Sequence, residues 1–123
     1  AEELAREFGS MFAGGLSVLP SLDGEELPTP RPAVVIGTVP ATGLQIAFPD
    51  ALFAEPGLAL DMAYKPRITP LLAAAERHGW TTIPGVQVLI DQGVEQCERW
   101  TGFPAPYNVM HEAVMAYYNQ QGN

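Results

Sequence analysis

The sequence predicts one α/β layer built on a parallel β-sheet, and three observations lead to this fold class. Two continuous apolar runs, residues 33–39 and 58–64, are typical of strands that are buried on both faces. A short third strand is predicted at residues 80–83, after a segment with helical punctuation. Because strands and helices alternate with short connections, we expect parallel strands with helices packed on the sheet.

The helices are predicted from their capping residues and their apolar spacing. Thr69 is the expected N-cap of the first, with Pro70 at its first position and Gly79 just beyond its end. Over residues 86–100, apolar residues repeat at spacings of three and four, the stripe of a helix packed on one face. The same spacing predicts a closing helix over residues 106–120.

The first 32 residues give a weaker pattern. The opening segment AEELAREF predicts a helix, and the sequence behind it is rich in Gly, Pro and acidic residues. One short strand is predicted within residues 16–22, and a loop after it.

Composition limits the classes of function. A chain of 123 residues suffices for one core and is too short for two separate domains. Its net charge of −8 argues against nucleic acids and anionic membranes as partners, and no apolar run approaches the length of a membrane span. The single Cys97 cannot form an internal disulfide, so we expect a reducing, cytoplasmic setting.

Ligands of open parallel sheets bind beyond the carboxyl ends of the strands. That rule selects residues 37–43, residues 62–66 and the helix start at Gly85. Two turns beyond Gly85, the amide of Gln92 can both donate to and accept from a hydroxyl group. No His, Cys or carboxylate cluster has metal-site spacing, and we predict no metal.

Each candidate also has a structural explanation. Residues 37–43 suit an ordinary tight turn, and Tyr64 suits a core residue with an exposed hydroxyl. Gln92 could be a solvated glutamine on a helix flank, and Lys65, the only lysine, an exposed salt-bridging residue. The residues taken alone therefore leave function open.

Three motifs follow one another along the chain: IGTVPATG at residues 36–43, DMAY at residues 61–64 and GVQVLIDQG at residues 85–93. In this order they resemble the C-terminal part of the shikimate dehydrogenase family, most closely the dehydrogenase domain that ends the fungal pentafunctional arom polypeptide. The resemblance implies a single partial domain with a Rossmann-like parallel sheet. Its parts are a helix and loop region at 1–32, the C-terminal half of a dinucleotide-binding domain at 33–105, and a C-terminal helix at 106–123.

The resemblance also implies roles for five residues in an enzyme of aromatic amino-acid biosynthesis. Met62 and Gly85 are expected to line the nicotinamide of NADP, with Thr38 as a further cofactor contact. Tyr64 and Gln92 are expected to contact shikimate or 3-dehydroshikimate. The implied reaction is reversible hydride transfer between NADPH and the ring ketone, in which the cofactor supplies the hydride.

Departures from the family pattern set further expectations. The family's catalytic Lys and Asp belong to an N-terminal substrate domain, and Lys65 does not match that lysine, so no catalytic residue is expected here. The glycine-rich pyrophosphate loop and the basic 2′-phosphate clamp have no counterpart in these 123 residues. We therefore expect a fragment that is inactive alone.

Several alternatives stay open at this point. The cofactor could be NADP or NAD, and the substrate shikimate or quinate. A second interpretation is the dehydrogenase-like end of a fungal quinate repressor, which acts through protein–protein binding instead of catalysis. Losing half of a sheet would expose an edge strand and apolar faces, so either self-association into a homo-oligomer or poor solubility is expected.

Overall fold

The structure, a computed structural model, describes residues 2–11, 18–19, 21–22, 27, 29–41 and 46–120. Over these residues the chain forms, in order, α1 (Glu2–Phe8), β1 (Val34–Gly37), β2 (Leu58–Asp61), α2 (Pro70–Arg77), β3 (Thr81–Ile83), α3 (Gly85–Thr101) and α4 (Tyr107–Gln120). Short 3₁₀ turns lie at Gly9–Met11 and Asp50–Phe53. No helix in this described part is long and apolar enough to cross a bilayer.

The three strands form one parallel sheet in the order β1–β2–β3, as the alternation of strands and helices predicts. Gly37 lies opposite Asp61 where β1 and β2 end. The Met62 N–H donates to the Gly37 carbonyl oxygen at 2.8 Å, which continues the pairing by one residue. This register brings the segments that follow both strands to the same edge of the sheet.

The predicted punctuation of α2 is confirmed. The Thr69 hydroxyl oxygen accepts a hydrogen bond from the Leu72 N–H at 3.3 Å, and Pro70 is the first helical residue. Gly79 follows the helix with a φ of 73°, a left-handed conformation that glycine adopts without steric cost. The helix therefore begins and ends where its sequence predicts.

The core lies between α2 and one face of the sheet. Its buried residues are Leu27, Leu52, Phe53, Ala59, Leu71, Leu72, Ala74, Ala75 and Trp80. The indole N–H of Trp80 donates to the Glu55 carbonyl oxygen at 2.6 Å, so this buried donor is satisfied. A side chain on Gly57 would lie 2.6 Å from the Trp80 ring, and glycine is what admits the indole there.

The structure corrects three details of the strands. β2 ends at Asp61, so Met62, Ala63 and Tyr64 belong to the loop beyond it. β1 is not buried on both faces: it is one of the two edge strands of the sheet that the described residues form, and Val34 and Ile36 are exposed on the face away from the core. Within residues 16–22, the four described residues are not in a strand, and the other three lie outside the described part.

The predicted helix at residues 86–100 is present as α3, but its stripe is only partly covered. Val86 and Ile90 are buried near its start, whereas Leu89 and Trp100 are exposed. The helix ends at Thr101, and the next residue, Gly102, has a φ of 72° and donates its N–H to the Glu98 carbonyl oxygen. The closing helix, α4, packs on α3 and contains no fully buried residue.

Candidate functional site

The loops that follow β1 and β2 border an open cavity of about 340 Å³ at the carboxyl edge of the sheet. One wall is formed by Thr38, Val39, Pro40 and Ala41, and the other by Met62, Ala63, Tyr64 and Lys65. The volume lies within the range of about 300–1,000 Å³ that is typical of small-molecule sites. This edge is also where open parallel sheets bind ligands.

The walls of this cavity are mainly apolar and carry a few polar groups. The polar side chains are the Thr38 hydroxyl, the Tyr64 phenol and the Lys65 ammonium group. Met62 and Tyr64 are both exposed, so their side chains, a thioether and a phenol, are accessible from solvent. Apolar walls with a small number of hydrogen-bonding groups suit a flat ring that carries polar substituents.

The first residue of α3 lies directly against one wall of the cavity. A Cβ atom on Gly85 would lie 2.6 Å from the carbonyl oxygens of both Met62 and Ala63. Such a distance leaves no room for any side chain, because both neighbours are backbone atoms. Glycine at this position therefore allows α3 to start in contact with the loop after β2.

Gln92 lies on the helical face that begins at Gly85. Seven residues at 100° each bring it back to within about 20° of the Gly85 direction, roughly 10 Å further along the axis. Its side chain is exposed and does not line the cavity described above. Four predicted site residues, Thr38, Met62, Tyr64 and Gly85, thus lie together, and Gln92 lies outside their group.

Sequence reasoning missed a buried polar pair beneath the cavity. Asp61 accepts the Ala63 N–H at 3.0 Å through Oδ1, and the Thr69 hydroxyl donates to its Oδ2 at 2.6 Å. The sequence does contain a signal for this pair. A single carboxylate that ends an apolar strand must find hydrogen-bond donors, and Thr69 follows eight residues later.

The two histidines have structural contacts away from the cavity. His78 caps the end of α2, where its ring stacks on Phe53 and its Nε2 lies 3.2 Å from an Asp50 carboxylate oxygen. His111 stacks on Tyr107 in α4. Among the described residues, no three His, Cys, Asp or Glu side chains are grouped so that they could hold a metal ion.

Comparison with known proteins adds to this geometry. A family model of the shikimate 5′-dehydrogenase C-terminal domain matches residues 85–115, which span α3 and the first part of α4. The pentafunctional AROM polypeptide of Malassezia globosa is 38% identical over 97 residues, covering 72% of this chain and 6% of that polypeptide. The chain belongs to the shikimate dehydrogenase family.

Solved structures of this family share the fold. The dehydroquinate dehydratase and shikimate dehydrogenase from S. pombe AroM superimposes with a TM-score of 0.61 and 35% identity, covering 76% of this chain and 19% of that one. For the shikimate 5-dehydrogenase from Thermus thermophilus, in complex with NADP(H) and shikimate, the TM-score is 0.59 and the identity 26%. The match covers 68% of this chain and 33% of that one.

The predicted resemblance and the α/β fold class are therefore confirmed. The chain spans only a small part of the curated relative and about a third of the bacterial dehydrogenase. These relatives are arom polypeptides and shikimate dehydrogenases, and they give no support to the quinate repressor interpretation.

Proposed function

We propose that this shikimate dehydrogenase-family chain forms one side of a cleft in which NADP(H) and shikimate or 3-dehydroshikimate exchange a hydride. The observation that carries the proposal is that Met62 and Tyr64 line the cavity at the carboxyl edge of the sheet, while Gly85 lies against the backbone of the same wall. The T. thermophilus relative, which was solved with NADP(H) and shikimate, supports this choice of ligands.

The residues present fit the nicotinamide end of the cofactor. Gly85 is buried against the Met62 and Ala63 carbonyl groups and so allows the start of α3 to lie against this wall, and the exposed Met62 offers an apolar contact to a flat ring. Thr38, on the opposite wall, supplies a hydroxyl. When NADP is bound, it supplies or accepts the hydride, and these three residues hold and orient it.

The proposed role of Tyr64 and Gln92 is to bind the ring hydroxyls of the substrate. The phenol lies at the cavity, and the amide lies on the face of α3 that starts against the same loop. Both groups can donate and accept hydrogen bonds. Since a site built to pair hydroxyls discriminates strongly against analogues that lack them, these two residues would contribute to specificity.

The proposal assigns no proton transfer to this chain. In the family the catalytic Lys and Asp belong to a substrate domain, and Lys65 does not correspond to that lysine. The 123 residues alone are accordingly proposed to be inactive, and the reaction to require the longer parent polypeptide.

The test uses the parent polypeptide and follows NADPH absorbance during shikimate oxidation. We expect Tyr64→Phe and Gln92→Ala each to raise KM for shikimate about three- to tenfold, the loss of one hydrogen bond, with little change in KM for NADP⁺. Tyr117→Phe, on an exposed phenol of α4, is the matched control and should behave as wild type.

Two outcomes would contradict the proposal. One is a parent polypeptide that does not oxidise shikimate with NADP⁺. The other is wild-type KM and kcat for shikimate in both the Tyr64→Phe and the Gln92→Ala variant.

A further inference from the structure

We propose that Asp61 and Thr69 are positioning residues, which hold the cavity wall at residues 62–65 in the shape that binds its ligands. This inference rests on the proposed function, because it concerns the same cavity. Neither residue lines the 340 Å³ cavity, and both would act through the backbone of the wall.

A single carboxylate connects the wall to the start of α2. Asp61 is 4% exposed and Thr69 is fully buried. Asp61 Oδ1 accepts the Ala63 N–H, while its Oδ2 accepts the Thr69 hydroxyl at 2.6 Å. The same hydroxyl oxygen caps α2 by accepting the Leu72 N–H. The position of Ala63 is therefore linked to the first turn of a helix that is packed into the core.

The neighbouring backbone leaves this wall little freedom. Met62 is fixed on one side by its hydrogen bond to the Gly37 carbonyl oxygen. On the other side, the carbonyl oxygens of Met62 and Ala63 lie against Gly85 so closely that a methyl group would not fit between them. A small shift of Ala63 would therefore disturb both the start of α3 and the direction in which Tyr64 leaves the wall.

Glycine at position 37 is what admits the carboxylate. A Cβ atom there would lie 2.9 Å from both Cγ and Oδ1 of Asp61. The carboxylate also borders a second cavity of about 250 Å³, which shares the wall formed by Thr38, Val39, Pro40 and Ala41. Asp61, the last residue of β2, thus has its carboxylate beside Gly37, the last residue of β1, at the point where both cavity walls begin.

The energetic cost of burying a carboxylate supports a positioning role. Burying such a group is unfavourable unless hydrogen bonds compensate it, and an apolar residue of similar volume often stabilises a core as well or better. At this position the two bonds of the carboxylate go to the cavity wall and to the helix cap. Both bonds fix backbone geometry at the edge where the ligand would bind.

The test compares variants of the parent polypeptide by kinetics. Thr69→Val removes the hydroxyl while keeping the shape, and we expect kcat/KM for shikimate oxidation to fall about tenfold, since small displacements of a site are costly. Thr69→Ser restores the hydroxyl and should remain within about twofold of wild type. Asp61→Ala removes both bonds and should have the larger effect, provided that the protein folds.

The matched control is Ala74→Gly, in the same helix. Ala74 is buried and lies away from the cavity walls, and the substitution lowers stability by weakening α2. We expect a lower Tm with unchanged kcat/KM. If Ala74→Gly and Thr69→Val lower kcat/KM equally at equal loss of Tm, Thr69 acts only through stability and the inference is wrong.

A second measurement does not depend on catalysis. Amide hydrogen exchange, followed by mass spectrometry in peptides that cover residues 62–65, should accelerate in Thr69→Val and not in Ala74→Gly. Unchanged exchange overturns the inference, even if the parent is an active dehydrogenase. If the parent polypeptide has no dehydrogenase activity, the proposed function is overturned. The amide hydrogen exchange of residues 62–65 then decides on its own whether Asp61 and Thr69 hold the cavity wall.

Discussion

The sheet with α2 and the helical pair α3–α4 differ in how far they bury their apolar side chains. Leu71 in α2 is 2% exposed, and the residues around it form a continuous core. Trp100 at the end of α3 is 80% exposed, and Phe103, Val109 and Tyr117 are exposed as well. The helices of both regions have apolar residues at the spacing of packed helices. This spacing therefore predicts a helix and its apolar face, but not whether other parts of the protein cover that face.

A polar contact also connects the two regions. α2 is packed into the core, and α4, which packs on α3, is linked to the loop before α2 by Arg67. An Arg67 guanidinium nitrogen donates to the Tyr118 carbonyl oxygen at 2.7 Å, and the guanidinium lies 4.7 Å from the centre of the Tyr118 ring. The candidate site lies where the regions meet, since Met62 and Ala63 belong to the sheet side and Gly85 to α3.

The largest effect is expected in the core. Leu71→Ala would leave a cavity between α2 and the sheet and should lower the free energy of unfolding by about 2–5 kcal/mol, measured by urea denaturation. A loss below about 1 kcal/mol would mean that this region collapses around the missing side chain and is less tightly packed than the structure shows.

An intermediate effect is expected at the contact between the regions. Gly85→Ala forces a methyl group against two carbonyl oxygens and should cost about 1–3 kcal/mol of unfolding free energy. In the parent polypeptide it should also raise KM for NADP⁺, because the start of α3 must move.

Gly93→Ala in the same helix is the control for this prediction. Its methyl group would lie 3.6 Å from the Met110 side chain, an ordinary contact, and mid-helix alanine should add up to about 1 kcal/mol. Equal effects of the two alanine substitutions would contradict the close contact between α3 and the loop after β2.

The smallest effect is expected at the exposed end of α3. Trp100→Ala should change the unfolding free energy of the 123-residue chain by no more than about 0.5 kcal/mol, because the indole has little surface buried to lose. Thermal unfolding followed by circular dichroism would measure this. A loss similar to that of Leu71→Ala would show that Trp100 is covered, by another part of the chain or by a second copy.

Much of the fold follows from local signals in the sequence. The N-cap Thr69, Pro70 and Gly79 predict α2 from its first residue to its end, and the spacing over residues 86–100 predicts α3. The prediction that both faces of β1 are buried was wrong. An apolar run shows that a strand is suited to burial, but it does not show that other residues cover both of its faces. The apolar run over residues 58–64 predicts a longer β2, whereas the strand ends at Asp61, whose carboxylate accepts the Ala63 N–H and the Thr69 hydroxyl.

The candidate site was predictable only in part, because some of its features follow from the order of strands and others depend on contacts between distant elements. The rule for parallel sheets selects the loops that carry Thr38 and Met62, and the parallel register then brings them together. The close contact at Gly85 could not be predicted, since it depends on the angle at which α3 meets the loop after β2. Joint binding by Tyr64 and Gln92 stays a prediction, because Gln92 lies beyond the cavity.

A crystal structure of the parent polypeptide with NADP⁺ and shikimate tests the proposed arrangement most directly. We predict the Tyr64 hydroxyl and the Gln92 amide within about 3.2 Å of oxygen atoms on the same shikimate molecule, with the nicotinamide against Met62 and Gly85. Shikimate bound at a place that neither Tyr64 nor Gln92 reaches, or a nicotinamide bound away from Gly85, would contradict it.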